Sequence, residues 1–575
     1  MNNSDVAEVF DNIADFLEIK GEQIYRVLAY RRGAEAIRNL GRDINKVWQD
    51  EQLEDIPGVG KAISEKIAEL LSSGKLEYYE RLQTEIPFGL LQVLKVGDVG
   101  PKKAARFWKE LGIESIEQLE KAARAGQLRQ LSGMGEKSEA RILESIESLK
   151  RRKIDRIPIG QALPAAQLLV DFLRGLPEVT AAEAAGSLRR QRETVGDLDL
   201  LVAATDKEAV MAAFSEMPSV HRVKGLGGTK VSVELVDGLR VQLWVHPPER
   251  FGTALQYATG SQAHNVKLRE MALDQGVSLS EHALTREDGS EILCAEEEQV
   301  YAALGLPWIP PELREDRGEI QAAVKGALPD LVSLDQVRGE LHAHSDWSDG
   351  AVSIEAMARG AKERGLRYLI ITDHSRSLGV ANGLSIERLR EQRKELETAR
   401  RAMGKAFTLL QGAEVEILAD GKLDYPDEVL AELDLVIASL HTSLRQSRER
   451  VTRRLMNAIQ NPHVDLIAHP TGRLIGQREG ADLDMESILQ AAADHDVILE
   501  INANPERLDL NDVFARRALE LGCRLAINTD AHRPEHLDFR HYGLGVARRA
   551  WATADQVVNC WTAARLKRWA AARGK

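Results

Sequence analysis

The chain has 575 residues, too many for one hydrophobic core, so three or more domains are expected. Its 43% hydrophobic and 29% charged residues are those of an ordinary globular protein, and without an apolar run of eighteen residues or a basic leader ahead of an apolar stretch it is expected to be cytoplasmic and to avoid membranes. Three scattered cysteines, Cys294, Cys523 and Cys560, exclude a disulfide framework and a thiolate zinc site, while the net charge of −13 leaves room for local basic faces.

Up to about residue 155 the apolar spacing predicts helices joined by short glycine-containing turns. Three stretches repeat one pattern: "IPGVGK" with Gly58 and Gly60, "VGDVGPKK" with Gly97 and Gly100, and "LSGMGEK" with Gly133 and Gly135. Glycine leaves backbone N–H groups uncovered at a helix N-terminus, where the dipole favours an anion such as a DNA phosphate. One such turn is commonly no more than a packing device. Three of them, two followed closely by Lys61 or by Lys102, Lys103 and Arg106, point to sequence-independent backbone binding.

From 180 to 245 the rhythm changes to short strand-like runs. In "GSLRRQRETVGDLDLLV", Asp197 and Asp199 stand two apart at the start of such a run, so both carboxylates leave one face of a strand and can share divalent cations, most naturally Mg²⁺. The Gly186-Ser187 pair upstream completes a nucleotidyltransferase pattern, G-S-x(9)-D-x-D. "LQYATGSQAHNVKLR" follows, with Asn265 and Arg269 on one helix face. A Pro-rich, charged stretch at 308–318 closes this part, and 319–337 reads as a linker carrying a short helix.

From 338 onward seven apolar runs, "GELHA", "RYLIIT", "FTLLQGAEV", "LDLVIASLH", "VDLIAHP", "VILEIN" and "RLAIN", alternate with amphipathic helices, the pattern of a parallel α/β barrel. His342, His344, Asp349, Asp373, His374, Glu414, His441, His469, Asp530 and His532 sit at or just beyond the C-terminal ends of all but one of them. In such barrels those ends meet on one rim. Imidazole with carboxylate suits Zn²⁺, Mn²⁺ or Fe²⁺. Arg376, Lys422, Arg473 and Arg507, in loops after strand runs, are candidates to hold flanking phosphates.

The glycine turns, "GSLRR", "GDLD" and "LQYATGSQAHNVKLR", in that order, resemble the family X DNA polymerases, the polymerase beta group, over residues 1 to 315. Residues 338 to about 570 resemble the polymerase and histidinol phosphatase (PHP) domain, and the succession of the two resembles bacterial family X polymerases over essentially the whole chain.

The resemblance implies an N-terminal helix-hairpin-helix domain (1–82), a helical fingers-like domain (83–155), a nucleotidyltransferase palm (156–246), a thumb-like nucleotide-selection domain (247–317), a linker (318–337) and a (β/α)7 PHP barrel (338–575). It makes Asp197 and Asp199 the polymerase metal ligands and Ser187 and Arg190, beside Gly186, triphosphate ligands. It places Tyr257 and Gly260 at the sugar, and Asn265 and Arg269 at the base or template. Lys66 stands where animal members carry a Schiff-base lysine, although a plain phosphate contact is the simpler role for it.

In the PHP part, His342, His344, Asp349, His374, Glu414, His441, His469, Asp530 and His532 fill every ligand position, enough for three ions (Mn²⁺ or Zn²⁺) with Glu414 as bridge, and His344 and Glu414 lie at the centre of catalysis. One departure stands out: Gln242 occupies the place of the family's third metal-binding aspartate and cannot ionise. Ala258 likewise replaces a common aromatic residue.

The expected protein is a monomeric DNA-repair enzyme acting on gapped or nicked DNA and dNTPs, with weakened synthesis and 3′–5′ exonuclease or abasic-site endonuclease activity in its PHP domain. Two rivals remain: a nuclease using a degenerate polymerase core as a clamp, and a small-molecule phosphoesterase of the histidinol-phosphatase type.

Overall fold

The computed structural model describes residues 1, 3–151 and 156–573, so the expected boundary at 155 lies outside the described residues. The chain separates into two compact units, Met1–Ile154 and Asp155–Lys575. None of the described helices is long and apolar enough to cross a membrane.

The first unit is built of helices around a core that includes Phe10, Phe16, Ile67, Phe107 and Ile142. Its three repeated turns lead into α1 (Lys61–Ser73), α2 (Pro101–Leu111) and α3 (Glu136–Arg151). Gly60 and Gly100 are N-caps with no side-chain hydrogen bond to the first turn. The left-handed residue of each turn is Gly58 (φ +91°), Asp98 (φ +65°) and Gly133 (φ +73°). The middle repeat is therefore offset from the Gly97–Gly100 pairing expected from sequence. Asp98, not Gly97, takes the conformation that glycine takes in the other two turns, and Gly97 instead donates its N–H to Ser145 Oγ at 2.6 Å.

In the second unit a helix at Ile159–Arg174 precedes a five-stranded sheet of β1 (Val179–Ala184), β2 (Leu198–Ala204), β3 (Val220–Leu226), β4 (Lys230–Leu235) and β5 (Arg240–His246), in spatial order β1-β2-β5-β4-β3. Only β2 and β5 run parallel, and their register sets Asp199 opposite Gln242. Next come α4 (Phe251–Thr259), α5 (Gln262–Asp274) and a small three-stranded antiparallel sheet.

The barrel strands are β6 (Gly339–Ala343), β7 (Tyr368–Ile371), β8 (Thr408–Glu416), β9 (Leu435–Ser439), β10 (Leu466–Ile467), β11 (Ile498–Asn502) and β12 (Leu525–Asn528), parallel and neighbouring in chain order. Nearly every residue of them is buried, because a parallel sheet is covered on both faces and its strands must read as continuous apolar runs. The ring almost closes: the His344 N–H donates to the Ala531 carbonyl (2.8 Å) and the Ala531 N–H to the His342 carbonyl (3.2 Å).

The segment expected as a linker is packed. Ile320, Ala323 and Leu331 join the core around α5, the buried Glu319 accepts from His264 Nδ1 at 2.7 Å, and the Val332 N–H donates to the Ala552 carbonyl. Palm and barrel share one apolar cluster that runs from Leu169 and Val202 to Ile501 and Val546. Buried ion pairs cross the same seam. Glu315 accepts from Arg190 Nε (3.0 Å) and Arg549 Nη1 (2.8 Å), and Asp512 accepts from Arg549 Nη2 (2.9 Å) and Arg317 Nη1 (2.8 Å).

Candidate metal centre and nucleotidyl-transfer site

Glu414, near the end of β8, is fully buried with five imidazoles around it. His374 Nδ1 and His469 Nε2 lie 2.9 Å from its carboxylate, His342 Nε2 and His441 Nε2 3.3 Å, and His344 Nε2 3.5 Å. Asp530 faces His344 Nε2 at 3.0 Å, and Asp349 lies 3.5 Å from His374 Nε2 and 3.4 Å from His532 Nε2. Residues almost two hundred apart in sequence thus meet because each stands at the same end of its strand or in the loop beyond it.

Three overlapping groups have donor atoms close enough to share an ion: His344, Asp349, His374 and His532; His342, His344 and Asp530; and His374, Glu414 and His441. His469 is attached to the last group through Glu414. The nine expected ligands therefore lie in one cluster. Asp373 does not join it: its carboxylate accepts from the Ser345 N–H (2.7 Å), Ser348 Oγ (2.5 Å) and Gln392 Nε2 (2.5 Å), which orders the loop that carries Asp349.

The cluster fits divalent cations on its own chemistry. His342 Nε2, both ring nitrogens of His344, His374 Nδ1, His469 Nδ1 and Glu414 Oε2 are buried without a hydrogen-bond partner, which a native core avoids unless something else fills those lone pairs. Burial and the neighbouring His374 push His344 down to about 3, so it stays a neutral ligand. At His374 burial acts the same way but is outweighed by Glu414 and Asp349, which raise it to about 10. A cation would displace a proton there. His469 (φ +27°) and Asp530 (φ +52°) hold left-handed backbone, a strain that accumulates where a side chain must be aimed.

Two residues missed in the sequence orient this set. Glu500 Oε1 lies 2.8 Å from His342 Nδ1 and accepts from Asn528 Nδ2, while its Oε2 accepts the His469 N–H at 2.7 Å. Glu416 Oε2 lies 2.8 Å from His441 Nδ1, and its carboxylate also accepts the Thr442 N–H. A carboxylate on Nδ1 fixes the tautomer and frees Nε2 for a metal. The signal was present: Glu500 is the lone acid in the apolar run "VILEIN", the one run without a ligand.

The second site sits on the palm. Gly186, at φ +59°, lies so near β2 that a Cβ would collide with the Asp199 carboxylate, which explains the glycine in that loop. Burial, reinforced by the Asp197 charge, pushes Asp199 up to about 7. Gln242 Nε2 donates to Asp197 Oδ2 at 2.6 Å. An amide proton thus occupies an oxygen that a third carboxylate would leave open to metal.

Other expected contacts are differently placed. The Arg190 guanidinium is buried and committed to Glu315 and the Thr259 carbonyl rather than open to a triphosphate. Ser187 and Tyr257 are half-buried, Gly260 is buried and Arg269 is exposed. Asn265 accepts from Gln256 Nε2 and donates to the Tyr257 carbonyl. Of the proposed phosphate holders, Arg473 is tied to Glu193 (2.7 Å) and Arg376 to Asp424 (3.3 Å). Lys66, in the first unit, donates to the Ala62 carbonyl and lies 5.6 Å from the Tyr78 ring.

Four segments of the chain match known protein families. Residues 1–76 match the helix-hairpin-helix domain, 90–148 the SAM-like helix-hairpin-helix tandem, 254–315 the DNA polymerase beta thumb and 340–504 the PHP domain. The DNA polymerase/3′-5′ exonuclease PolX of Bacillus subtilis (strain 168) is 40% identical over 562 residues, 97% of either chain. A probable phosphatase of Thermoanaerobacter sp. (strain X514) is 32% identical over 232 residues, 38% of this chain and 89% of that one. DNA polymerase lambda of Rattus norvegicus is 25% identical over 344 residues, 54% of this chain and 56% of its own.

Proposed function

The chain belongs to the PolX family of DNA polymerases with a C-terminal PHP domain, and from that membership we propose that its principal activity is metal-dependent 3′–5′ trimming of gapped or nicked DNA by the barrel, coupled to weakened gap filling by the palm. The observation that carries this is the contrast at the two carboxylate centres: Glu414 is ringed by five imidazoles, several of them with unpartnered ring nitrogens, whereas Asp197 accepts a hydrogen bond from Gln242.

Divalent ions at the barrel rim, Mn²⁺ or Zn²⁺, would activate water and stabilise charge on the attacked phosphate. The chain's part is to aim the ligands: Glu500 and Glu416 fix the His342 and His441 tautomers, and Asp373 holds the loop that presents Asp349. In the palm, Asp197 and Asp199 would hold Mg²⁺ and a dNTP triphosphate would rest against the Gly186-Ser187 loop, with Gln242 limiting the charge available to activate a primer hydroxyl. The glycine turns of the first unit supply sequence-independent DNA contacts, and the same barrel chemistry extends to cleavage beside an abasic sugar.

The clamp-with-nuclease reading draws support from the Gln242 contact and differs only in having no synthesis at all. Gapped DNA with and without dNTPs, in Mg²⁺ or Mn²⁺, offered to the parent, Asp197→Ala and His344→Ala, tests both. Trimming that needs His344 together with slow synthesis that needs Asp197 is expected. Trimming by His344→Ala at the parental rate would overturn the assignment, and preference for a small phosphomonoester over DNA would favour a phosphatase.

A further inference from the structure

We propose that Arg445, Arg450 and Arg453 form a phosphate track that seats the DNA strand whose 3′ end enters the barrel metal centre. This rests on the nuclease reading above and names the surface that would make the substrate a polymer rather than a small phosphate ester.

The track begins four residues after His441. Four residues of chain reach at most roughly 14 Å, so Arg445 stands within a few nucleotides of the ligands. Its loop is fixed to the rim. Arg454, 2% exposed, donates to the carbonyls of Ile417, Leu418, Thr442 and Ser443 and to Gln446 Oε1, and so staples the loop after β9 to the end of β8. On one side Gln446 donates to the Ala419 carbonyl at 3.2 Å; on the other Leu444 packs over Gly472, three residues beyond His469. The loop is therefore wedged between those that follow the Glu414 and His469 strands.

From Ser447 the chain enters α6 (Arg448–Gln460), on which Arg450 and Arg453, three apart, share a face that leads away from the rim. A groove lined by Arg448, Glu449, Thr452, Arg453, Met456 and Asp484 runs beside that face.

Among the described residues the three charges make no ion pair and, unlike other arginines of the domain without one such as Arg367, Arg401 and Arg507, they fall together within nine residues. Arg364, Arg390, Arg517 and Arg524 each pair with a carboxylate. Arg445, Arg450 and Arg453 are exposed, and among the described residues none of them has an ion pair. Glu449 is the acid nearest the row, and Arg448 and Arg453 hold its carboxyl below the usual range after its own backbone N–H and Ser447. Three cations left without an ion pair along nine residues repel one another modestly and leave a row of guanidinium groups to face successive phosphates. A phosphomonoester bound at the metals would not span to Arg450 or Arg453.

The test compares the parent with Arg445→Ala/Arg450→Ala/Arg453→Ala and the matching triple Lys variant, on a 3′-single-stranded DNA and on bis(p-nitrophenyl) phosphate, with metal content measured by mass spectrometry. For the Ala variant, KM for DNA should rise about tenfold or more and the slope of log kcat/KM against log salt should flatten by about 2, near 0.7 for each phosphate no longer neutralised. Diester hydrolysis and metal content should stay at the parental level, and the Lys variant should recover most of the DNA KM. An unchanged DNA KM and salt slope would overturn the track alone, as would equal losses on DNA and diester, which would mark the segment as structural. A parent that hydrolyses the diester yet leaves DNA intact would sink the nuclease reading and the track with it.

Discussion

The palm and the barrel both gather carboxylates for phosphoryl chemistry, but they treat the lone pairs in opposite ways. In the palm, Asp197 receives a hydrogen bond from Gln242 at 2.6 Å and Asp199 is pushed up to about 7, so protons compete with cations at both oxygens. In the barrel, the outer nitrogens of His342 and His441 are satisfied by Glu500 and Glu416, so the inner ones face Glu414 unencumbered. The lesson is that counting acids near a strand end does not tell a metal site from a self-satisfied one. The location of the donors does.

The largest expected effect breaks the barrel side. His344→Ala, which removes a residue shared by two ligand groups, should cut trimming of DNA by about a thousandfold, since metal chemistry supplies several kcal/mol. Mass spectrometry should show the loss of at least one ion per chain.

The seam between the two halves comes next. Glu315 is held at about 2; burial opposes this and the Arg549 and Arg190 charges overcome it, against 4.5 for a free glutamate. A depressed carboxyl contributes stability that is present above pH 4.5 and is lost as pH falls through about 2, here about 3 kcal/mol by linkage. Glu315→Gln should lower the urea midpoint of the palm–barrel body at pH 7, and the difference from the parent should vanish at the acid end of that window.

A smaller effect would make the palm more like the barrel. Gln242→Asp removes the donor on Asp197 and restores a third carboxylate, so single-nucleotide incorporation in Mg²⁺ should rise about tenfold to a hundredfold. No gain would show that the amide is not what restrains synthesis. Smallest of all, Glu500→Gln keeps the shape but withdraws the charge behind His342, and metal affinity at the barrel should fall about tenfold in a competition assay.

Much of this contrast was legible in the sequence. Seven buried parallel strands leave continuous apolar runs, and a shared strand end forces ligands into the same phase of each run, so "LHAH", "TDHS" and "NTDAH" could be assigned to one rim. What escaped depends on pairings that no local pattern encodes. Gln242 was marked as a missing aspartate, yet its hydrogen bond to Asp197, 45 positions away, follows from the β2–β5 register. The tie of Arg190 to Glu315 and the packing of 318–337 are likewise long-range choices. The offset at Asp98 shows that a glycine pair can be misaligned when the left-handed residue is an aspartate.

The apolar cluster that passes from Val202 into Ile501, with Arg549 and Asp512 clasped beneath it, makes the barrel a poor cassette. Excision at residue 338 would bare that oily floor and leave Arg549 without Glu315, so this barrel, cut free, would have to exchange those side chains for ones that tolerate water. Whatever its own carboxylates do, the palm of this chain is also the foundation on which the barrel stands.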